Sequence, residues 1–330
     1  MTTRWMLSTR GDPLGAFQQF LRELYVIARL DAMLVPLRMD EPALVEPHII
    51  DTPSSLADAD PLAPIMALNA ARLAANYQRK HAGQRLAAVL RPCELRALDE
   101  LASLGLVGRE QILVIGVDCL GTFPADAFEW QSDLDKWVRD ALRFARQGGI
   151  AAYRYRPACQ MCVEPLPASA DIAIDLLGLP ASRVLMLTAR DAALAERLHL
   201  NALTDGEADP ELVEQHERIR TQVAARRARA RERITHSLST RLAVDVDALV
   251  EHLRACGPCQ ACMESCPIFS VQVSAAEQRP ELTREVVVNW LASCAGCGMC
   301  EAACPEHMPL AAIFARIHDE LQRALEEELA

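Results

Sequence analysis

The sequence has few aromatic residues, no excess of positive charge and no long apolar run. Aromatic residues make up 5% of the 330 residues, so leucine, alanine and valine must fill the large core that a hydrophobic content of 51% allows. The net charge of −11 argues against nucleic acid as a partner, because phosphate binding needs a basic face. No run of about 18 uncharged apolar residues occurs, so we expect no membrane span, and membrane association only through a partner.

The sequence also lacks two familiar signals. Residues Met1–Arg10 contain no apolar stretch long enough for a signal peptide, and no Gly-x-Gly-x-x-Gly motif is present to fix the contacts of a flavin. Twelve cysteines are nevertheless present. So many thiols without an export signal indicate a reducing compartment and metal ligation, and we expect a cytoplasmic protein.

Eight of the cysteines lie in two copies of the pattern Cys-x2-Cys-x2-Cys-x3-Cys-Pro. The first copy contains Cys256, Cys259, Cys262 and Cys266, and the second contains Cys294, Cys297, Cys300 and Cys304. This spacing is typical of proteins with two 4Fe-4S clusters, in which the fourth cysteine of each copy usually ligates the other cluster. We therefore assign one cluster to Cys256, Cys259, Cys262 and Cys304, and the other to Cys294, Cys297, Cys300 and Cys266. A single Cys-x2-Cys pair could bind zinc, but two complete copies argue against it.

Two of the remaining cysteines follow predicted strands. Leu86–Leu90 and Gln111–Gly116 are apolar runs that indicate buried strands, and a helix predicted over Glu94–Leu104 connects them. Such a β-α-β unit makes the two strands parallel. Cys93 and Cys119 would then lie at one edge of the sheet, which is where open α/β sheets place ligands.

The last two cysteines form a separate loop. Cys159 and Cys162 belong to Cys159-Gln160-Met161-Cys162, so three loops together supply four thiols. By ligand count the four could hold a third 4Fe-4S cluster or a zinc ion. Alternatively, Cys93 and Cys119 are buried small apolar residues, as free cysteines often are.

The rest of the first half gives weaker signals. Pro36, Pro42 and Pro47 break the first 60 residues into short extended pieces. Ile150–Arg156 is predicted to be a strand. A charged helix over Glu211–Arg233 could dock on an acidic partner, but we favour a solvated connecting helix.

These signals indicate two domains and a linker. Residues 1–208 form an α/β domain with a parallel-type sheet, residues 209–240 a charged helical linker, and residues 241–330 a mainly α-helical dicluster ferredoxin domain. Helices predicted over Leu282–Leu291 and Leu310–Leu325 leave little room for a compact ferredoxin. The C-terminal domain resembles the helical ferredoxin domains of heterodisulfide reductase and of the succinate dehydrogenase iron–sulfur subunit.

The middle of the chain carries four motifs in a characteristic order. They are Arg91-Pro92-Cys93-Glu94-Leu95-Arg96-Ala97-Leu98, Ile115-Gly116-Val117-Asp118-Cys119-Leu120-Gly121, Cys159-Gln160-Met161-Cys162, and Ala170-Asp171-Ile172 with Gly178. Over about residues 60–190 the chain resembles the beta subunit family of coenzyme F-420 (deazaflavin) hydrogenase and formate dehydrogenase. The resemblance implies that Cys93, Cys119, Cys159 and Cys162 ligate a third 4Fe-4S cluster, and that FAD lies beside it near Cys93 and Cys119.

The cysteines and the resemblance together predict an electron-transfer subunit. The chain would pass electrons between a flavin and cluster site and the dicluster domain, with catalytic and electron-transfer subunits of a redox complex as partners. The complex would be a hydrogenase, a formate dehydrogenase or a heterodisulfide-reductase-like assembly, and this chain would be catalytic by itself only with FAD bound. The alternative is an iron–sulfur adaptor or redox-sensing subunit without flavin.

Overall fold

The N-terminal half of the chain is built on one mixed sheet, and the C-terminal half is helical throughout its described part. The structure is a computed structural model that describes residues 3–39, 45–124, 134–148, 155–239, 245–256, 259–276 and 281–329. The seven strands are β1 Arg4–Ser8, β2 Ala32–Arg38, β3 Val45–Ile50, β4 Leu86–Leu90, β5 Ile112–Val117, β6 Ile172–Asp175 and β7 Val184–Ala189. They lie in the order β1-β7-β6-β5-β4-β2-β3.

Only the centre of this sheet is parallel. Strands β2, β4, β5 and β6 pair in parallel, whereas β3, β7 and β1 are added in antiparallel pairs. The predicted β-α-β unit is confirmed, because β4 and β5 are parallel neighbours joined by a helix. The expectation of a parallel-type sheet therefore holds for the strands that lead to Cys93 and Cys119, and it is wrong for both edges.

The prolines near the N-terminus do not break the chain as we expected. Pro36 lies within β2 and Pro47 within β3, directly opposite each other. The pairing of β2 with β4 ends at Leu34, and β3 is an edge strand, so neither proline removes a hydrogen bond of the central ladder. Pro42 and most of the strand predicted over Ile150–Arg156 lie outside the described residues.

Helices cover both faces of the sheet. The helices of the N-terminal half are α1 Pro13–Ile27, α2 Ala71–Lys80, α3 Pro92–Ser103, α4 Leu134–Ala145, α5 Pro157–Met161 and α6 Ala192–Arg197, with short 3-10 helices at Pro53–Asp58 and Arg109–Gln111. Alternate residues of β4 pack into different cores: Ala87 and Val89 on one face, and Leu86, Ala88 and Leu90 on the other. A strand buried on both faces explains the uninterrupted apolar run in the sequence.

The charged helix is longer and less solvated than we expected. It forms α7, Pro210–Ser239, and it buries Ile219 and Val223 against the sheet half. Farther along, Arg231 forms an ion pair at 2.6 Å with Asp319, which belongs to the last helix of the chain. Helix α7 therefore contacts both halves. Within the described residues no helix is long and apolar enough to cross a membrane.

The C-terminal half contains six helices in its described part. They are α8 Val246–Ala255, α9 Ala261–Ser265, α10 Pro267–Ala276, α11 Arg284–Ala292, α12 Met299–Ala302 and α13 Leu310–Leu329. Trp290 is 2% exposed and contacts the rings of Phe269 and Phe314 at the centre of a small core. Ile268 and Val271 of α10 instead join the core that lies beneath α2 and α3. The helical half is thus packed onto the sheet half.

Candidate iron–sulfur sites

Four cysteines of the sheet half, Cys93, Cys119, Cys159 and Cys162, meet at one edge of the sheet and are called the N-terminal site. Cys93 lies in the first turn of α3, Cys119 follows the end of β5, and the other two lie in and just after α5. Because β4 and β5 are parallel, their carboxyl ends bring the first two thiols to the same edge. The Cys119 thiol lies within electrostatic reach of Cys93, Cys159 and Cys162.

A second group of four cysteines, Cys256, Cys259, Cys262 and Cys304, forms the outer site in the helical half. The Cys256 thiol lies within electrostatic reach of Cys259 and Cys304, and Cys262 lies within reach of Cys256 and Cys304. Cys259 is the most exposed of the chain's twelve cysteines. One thiol of the second sequence motif thus joins three of the first motif.

The inner site consists of Cys266, Cys294, Cys297 and Cys300. The buried Cys300 thiol lies within electrostatic reach of the other three. Here one thiol of the first motif joins three of the second. The thiols are therefore grouped in both sites in the exchanged arrangement that the spacing led us to expect.

The three sites form a series. The Cys93 thiol of the N-terminal site lies within electrostatic reach of Cys297 in the inner site. The Cys300 thiol of the inner site lies within reach of Cys262 in the outer site. The series therefore runs from the sheet edge through the inner site to the outer site, where Cys259 is exposed.

Burial and mutual repulsion oppose ionisation of most of these thiols. Burial, with the neighbouring thiolates, raises the pKa of Cys119 to about 11, of Cys294 to about 12 and of Cys297 to about 11. Burial likewise raises the pKa of Cys262 to about 11, and Cys304 adds to that rise. Four thiolates packed this closely need a positive centre to hold them. An iron–sulfur cluster supplies such a centre, so the donor sets fit this cofactor.

The spacing of the thiols bears on the choice between iron and zinc. A tetrahedral four-thiolate zinc site with Zn–S bonds of about 2.3 Å holds its sulfurs about 3.8 Å apart. Among the described residues, which include all twelve cysteines, no three thiols lie within 4.8 Å of one another. The N-terminal site is therefore wider than a zinc site.

Cys159 is an exception among the thiols with shifted pKa values. Burial alone would raise its pKa, but Arg156 and the Thr122 hydroxyl lower the pKa below the usual value. The Arg156 Nε donates to Thr122 Oγ1 at 2.9 Å, which leaves the hydroxyl hydrogen free to point at Cys159 Sγ, 3.3 Å away. This relay favours the thiolate form at one corner of the N-terminal site.

Two further arginines approach the N-terminal site, and none of the three stood out in the sequence as functional. Arg96 donates to the Ala295 carbonyl at 3.0 Å and lies 3.9 Å from Cys162 Sγ. Arg227 of α7, which is 7% exposed, donates to the Cys119 carbonyl at 3.4 Å. Only Arg96 belongs to one of the four motifs, and charge patterning alone could not distinguish Arg227 from the other arginines of α7.

One ligand of the inner site receives a hydrogen bond from the core. The Trp290 indole Nε1 donates to Cys266 Sγ at 3.2 Å. Trp290 is buried between two aromatic rings, which fix its orientation. A hydrogen bond to a ligand sulfur raises a cluster's reduction potential, so Trp290 is a residue that would adjust the inner site.

The backbones of the two halves touch beside the inner site. Gly298 has φ of +69°, and a Cβ at this position would lie 2.4 Å from the Ala158 Cβ of α5. Glycine is required twice over here, by the left-handed conformation and by the contact. The loop that carries the inner-site cysteines is thereby seated on the helix that carries Cys159.

The expected place for a flavin is nearly filled. Next to Cys119, the described residues enclose a cavity of only about 10 Å³, bounded by Arg91 and Leu176 among others. Ligand sites of this kind have volumes of roughly 300–1,000 Å³. A groove of about 840 Å³ lies instead between the halves, beside Cys162 and Cys294.

A buried ionic group links the sheet edge to α7. His216 is 2% exposed, and its Nδ1 lies 2.8 Å from the Leu177 carbonyl, to which it donates. The same ring lies 3.8 Å from carboxylate oxygens of Asp118 and Asp175. Burial, with the charge on Asp118, raises the pKa of Asp175 to about 7. The group anchors α7 behind the N-terminal site.

Comparison with protein families identifies the C-terminal region. Residues 248–308 match the family model of the 4Fe-4S dicluster domain. The chain carries a 4Fe-4S dicluster domain. The match spans all eight cysteines of the outer and inner sites, and the dicluster domain therefore accounts for two clusters, as the motif spacing predicted.

A curated relative and a solved structure resemble the chain over most of its length. The F420-dependent formate dehydrogenase subunit beta of Methanocaldococcus jannaschii is 24% identical over 306 residues, which cover 78% of this chain and 76% of the relative. A chain of the F420-reducing NiFe hydrogenase complex from Methanosarcina barkeri has a similar fold, with a TM-score of 0.52. It is 12% identical, and the match covers 72% of this chain and 92% of that chain. The resemblance drawn from the motifs is confirmed.

Proposed function

We propose that the chain is an iron–sulfur electron-transfer subunit of a multi-subunit oxidoreductase, such as a hydrogenase, a formate dehydrogenase or a heterodisulfide-reductase-like complex. The arrangement of the thiols carries this proposal: three groups of four lie in series from a buried sheet edge to an exposed cysteine. When bound, a 4Fe-4S cluster carries one electron at a time. The dicluster domain and the two similar proteins, one from a formate dehydrogenase and one from a hydrogenase, support the same conclusion.

Each cysteine is assigned to one site. The outer site, Cys256, Cys259, Cys262 and Cys304, would hold one cluster of the dicluster domain, and the inner site, Cys294, Cys297, Cys300 and Cys266, the other. The N-terminal site, Cys93, Cys119, Cys159 and Cys162, would hold a third 4Fe-4S cluster. The separation of its sulfurs favours a four-iron cluster over zinc.

The protein around the thiols would hold each group in place and limit its contact with water. At the N-terminal site, α3 begins at Pro92 with its first turn fixed by Glu94, whose carboxylate accepts the Arg91 backbone N–H at 2.8 Å and the Ala70 N–H at 3.1 Å. Glu94 is 2% exposed and supports the turn that presents Cys93. Its part is therefore positioning, and acid–base chemistry is not assigned to it.

The flavin implied by the resemblance has weaker support than the clusters. The small cavity beside Cys119 favours an electron-transfer or adaptor subunit without flavin over one that holds FAD there. The groove beside Cys162 and Cys294 has the volume for a flavin and borders two thiol sites, so we place any FAD of this chain in that groove. The chain would catalyse hydride chemistry by itself only with that flavin bound.

The exposed end of the series would face a partner. Cys259 is exposed, whereas the N-terminal site is covered by α3, α5 and the dicluster domain. We therefore propose that an electron-transfer partner docks at the outer site and that a catalytic subunit approaches the sheet half. The same division into residues 1–208, a helical linker at 209–240 and residues 241–330 would separate the two docking surfaces.

Metal and flavin analysis of the anaerobically purified protein tests the proposal. Three clusters require about twelve irons per chain, and acid should release flavin only if FAD is bound. About eight irons with one zinc would replace the third cluster by a zinc site. About twelve irons without flavin would establish the electron-transfer or adaptor function, and fewer than about eight irons would contradict the proposal.

Copurification identifies the complex. The tagged chain, expressed in its native cell and purified without oxygen, should retain a catalytic subunit through several washing steps. A partner with hydrogenase or formate dehydrogenase activity would name the chemistry that this chain serves. A chain that purifies alone with full iron, and that exchanges no electrons with an artificial one-electron dye, would favour the redox-sensing alternative.

A further inference from the structure

Arg156 is a buried cation at the junction of the two halves. The residue is 5% exposed, and it lies immediately before α5, which carries Cys159. A buried guanidinium group is stable only when negative groups or hydrogen-bond acceptors surround it. What surrounds Arg156 therefore indicates what its charge is for.

The partners of the Arg156 Nη atoms are sulfurs. Its Nη1 lies 3.3 Å from Met299 Sδ, and its Nη2 lies 3.9 Å from Cys159 Sγ and 4.0 Å from Met66 Sδ. No carboxylate forms an ion pair with it in the parts of the chain that the structure describes.

The charge on Arg156 reaches three thiols and one carboxylate. The thiols are those of Cys159, Cys93 and Cys297. The carboxylate is that of Glu301, which accepts the Ala311 backbone N–H at 2.7 Å and forms no ion pair with the guanidinium group. Most of the negative charge that this cation can stabilise is therefore charge on the thiol sites.

Those thiols belong to two different sites. Cys93 and Cys159 are members of the N-terminal site, and Cys297 is a member of the inner site. Met299 lies between two cysteines of the inner site, in the loop that touches α5 through Gly298. The guanidinium group thus stands between the two sites, and no other arginine of the described residues contacts both a Cys159 sulfur and the inner-site loop.

Arg227 provides a comparison. It is also buried, but its guanidinium contacts are the carbonyls of Cys119 and Leu120, and its charge reaches Cys119 and Cys159 only on the N-terminal side. Arg227 therefore stands beside one site, whereas Arg156 stands between two.

We propose that Arg156 is an electrostatic bridge that raises the reduction potentials of the N-terminal and inner sites together. This inference rests on the proposed function, because it assumes a cluster at each site. A reduced cluster carries one more negative charge than an oxidised one, so a fixed cation in a buried place stabilises the reduced form. One cation shared by two sites keeps their potentials close to each other, and electron exchange between them then requires little free energy.

The test is a redox titration of the purified holoprotein, followed by electron paramagnetic resonance. We expect Arg156→Gln to keep about twelve irons per chain and to shift two of the three midpoint potentials to more negative values. The outer site should not shift. Arg156→Lys keeps the charge and should shift both potentials less than the glutamine variant does.

Two matched variants separate a bridge from a local or general effect. Arg227→Gln should shift one midpoint potential only, that of the N-terminal site. Arg143→Gln removes an exposed arginine of α4 and should shift none. Equal shifts of all three potentials in Arg156→Gln, a shift of one potential only, or no shift would each overturn the bridge.

Iron content distinguishes failure of the inference from failure of the proposed function. Fewer than about twelve irons in the unmodified protein contradicts the third cluster itself, whereas full iron with unshifted potentials contradicts the role of Arg156 alone. If Arg156→Gln loses iron, Arg156→Lys decides the matter. Loss of iron from the lysine variant too would show a structural role and would overturn the bridge.

Discussion

The N-terminal site and the dicluster sites bring four thiols together by opposite routes. In the dicluster domain, three ligands of each site lie within seven consecutive residues, and only the fourth comes from the other motif. In the N-terminal site, the ligands lie on three loops spread from Cys93 to Cys162, and the sheet brings them together. The first kind of site is encoded locally and depends on its cofactor. The second depends on the fold, and the fold does not depend on it.

Removal of iron should break the two regions apart, and we expect this to be the largest effect. Helices α9 and α12 have five and four residues, too few to be stable without the ligands that they carry. The sheet half has a large core of its own. Chelation should therefore unfold the dicluster domain and leave the sheet half folded, as limited proteolysis with mass spectrometry would show. Early cleavage within β4 or β5 would contradict this expectation.

Serine variants of single cysteines test the exchange of ligands between the dicluster sites. Cys266→Ser and Cys294→Ser should alter the same electron paramagnetic resonance signal, because both residues belong to the inner site. Cys304→Ser should alter the signal that Cys256→Ser alters. Each variant should lose about four irons of about twelve. If Cys266→Ser alters the same signal as Cys256→Ser, the ligands are not exchanged.

The junction between the regions can be tested at two glycines of one loop. Gly298→Ala should destabilise the protein by about 1–3 kcal/mol, since it adds a left-handed alanine and a clash with Ala158. Gly296→Ala is the matched control, because Gly296 has φ of +65° with nothing within 4 Å of the added Cβ. Thermal unfolding of the holoproteins measures both. Equal losses would mean that backbone strain alone accounts for the effect.

A smaller effect is expected from the buried ionic group behind the N-terminal site. The pKa of Asp175 is raised to about 7, so the folded state binds its proton more tightly than the unfolded state does. The stability that this proton contributes is complete below about pH 4 and is lost as the pH rises through about 7.

Asp175→Asn removes this pH dependence. Between about pH 6 and pH 8 the unmodified protein should lose about 1 kcal/mol of stability relative to the variant. Thermal unfolding of both holoproteins at the two pH values gives the difference, and Asp191→Asn, at an exposed helix cap, is the control. A difference that does not change with pH would show that Asp175 is already ionised at the lower pH.

The sequence predicts the two regions with unequal success for a physical reason. The exchange of Cys266 and Cys304 follows from spacing, because a cluster imposes its geometry on a short segment. The position of Cys119 beside Cys93 follows from two apolar runs, because parallel strands end at one edge. The contact of Cys159 with that edge rests on tertiary packing, and there the resemblance was needed.

The edges of the sheet and the arginines lie beyond what a pattern can reveal. The antiparallel strands β2 and β3 contain prolines that ordinarily break strands, and only their paired position makes them acceptable. Arg156 follows Tyr155 in a segment that we interpreted as a strand, and nothing in its neighbours' sequence marks it as buried. Its surroundings come from Met66 and Met299, which are far apart in the chain.

The seating of Gly298 on Ala158 has a consequence for how the protein is made. The chain emerges from the ribosome with its N-terminal half first, and domains generally fold in that order. The sheet edge with Cys93 and Cys119 therefore exists before the loop at Gly298 has been synthesised. Once that loop is seated, Ala295 and Met299 cover the same edge. Maturation of the N-terminal site must then take place in the interval between the folding of the sheet and the docking of the dicluster domain.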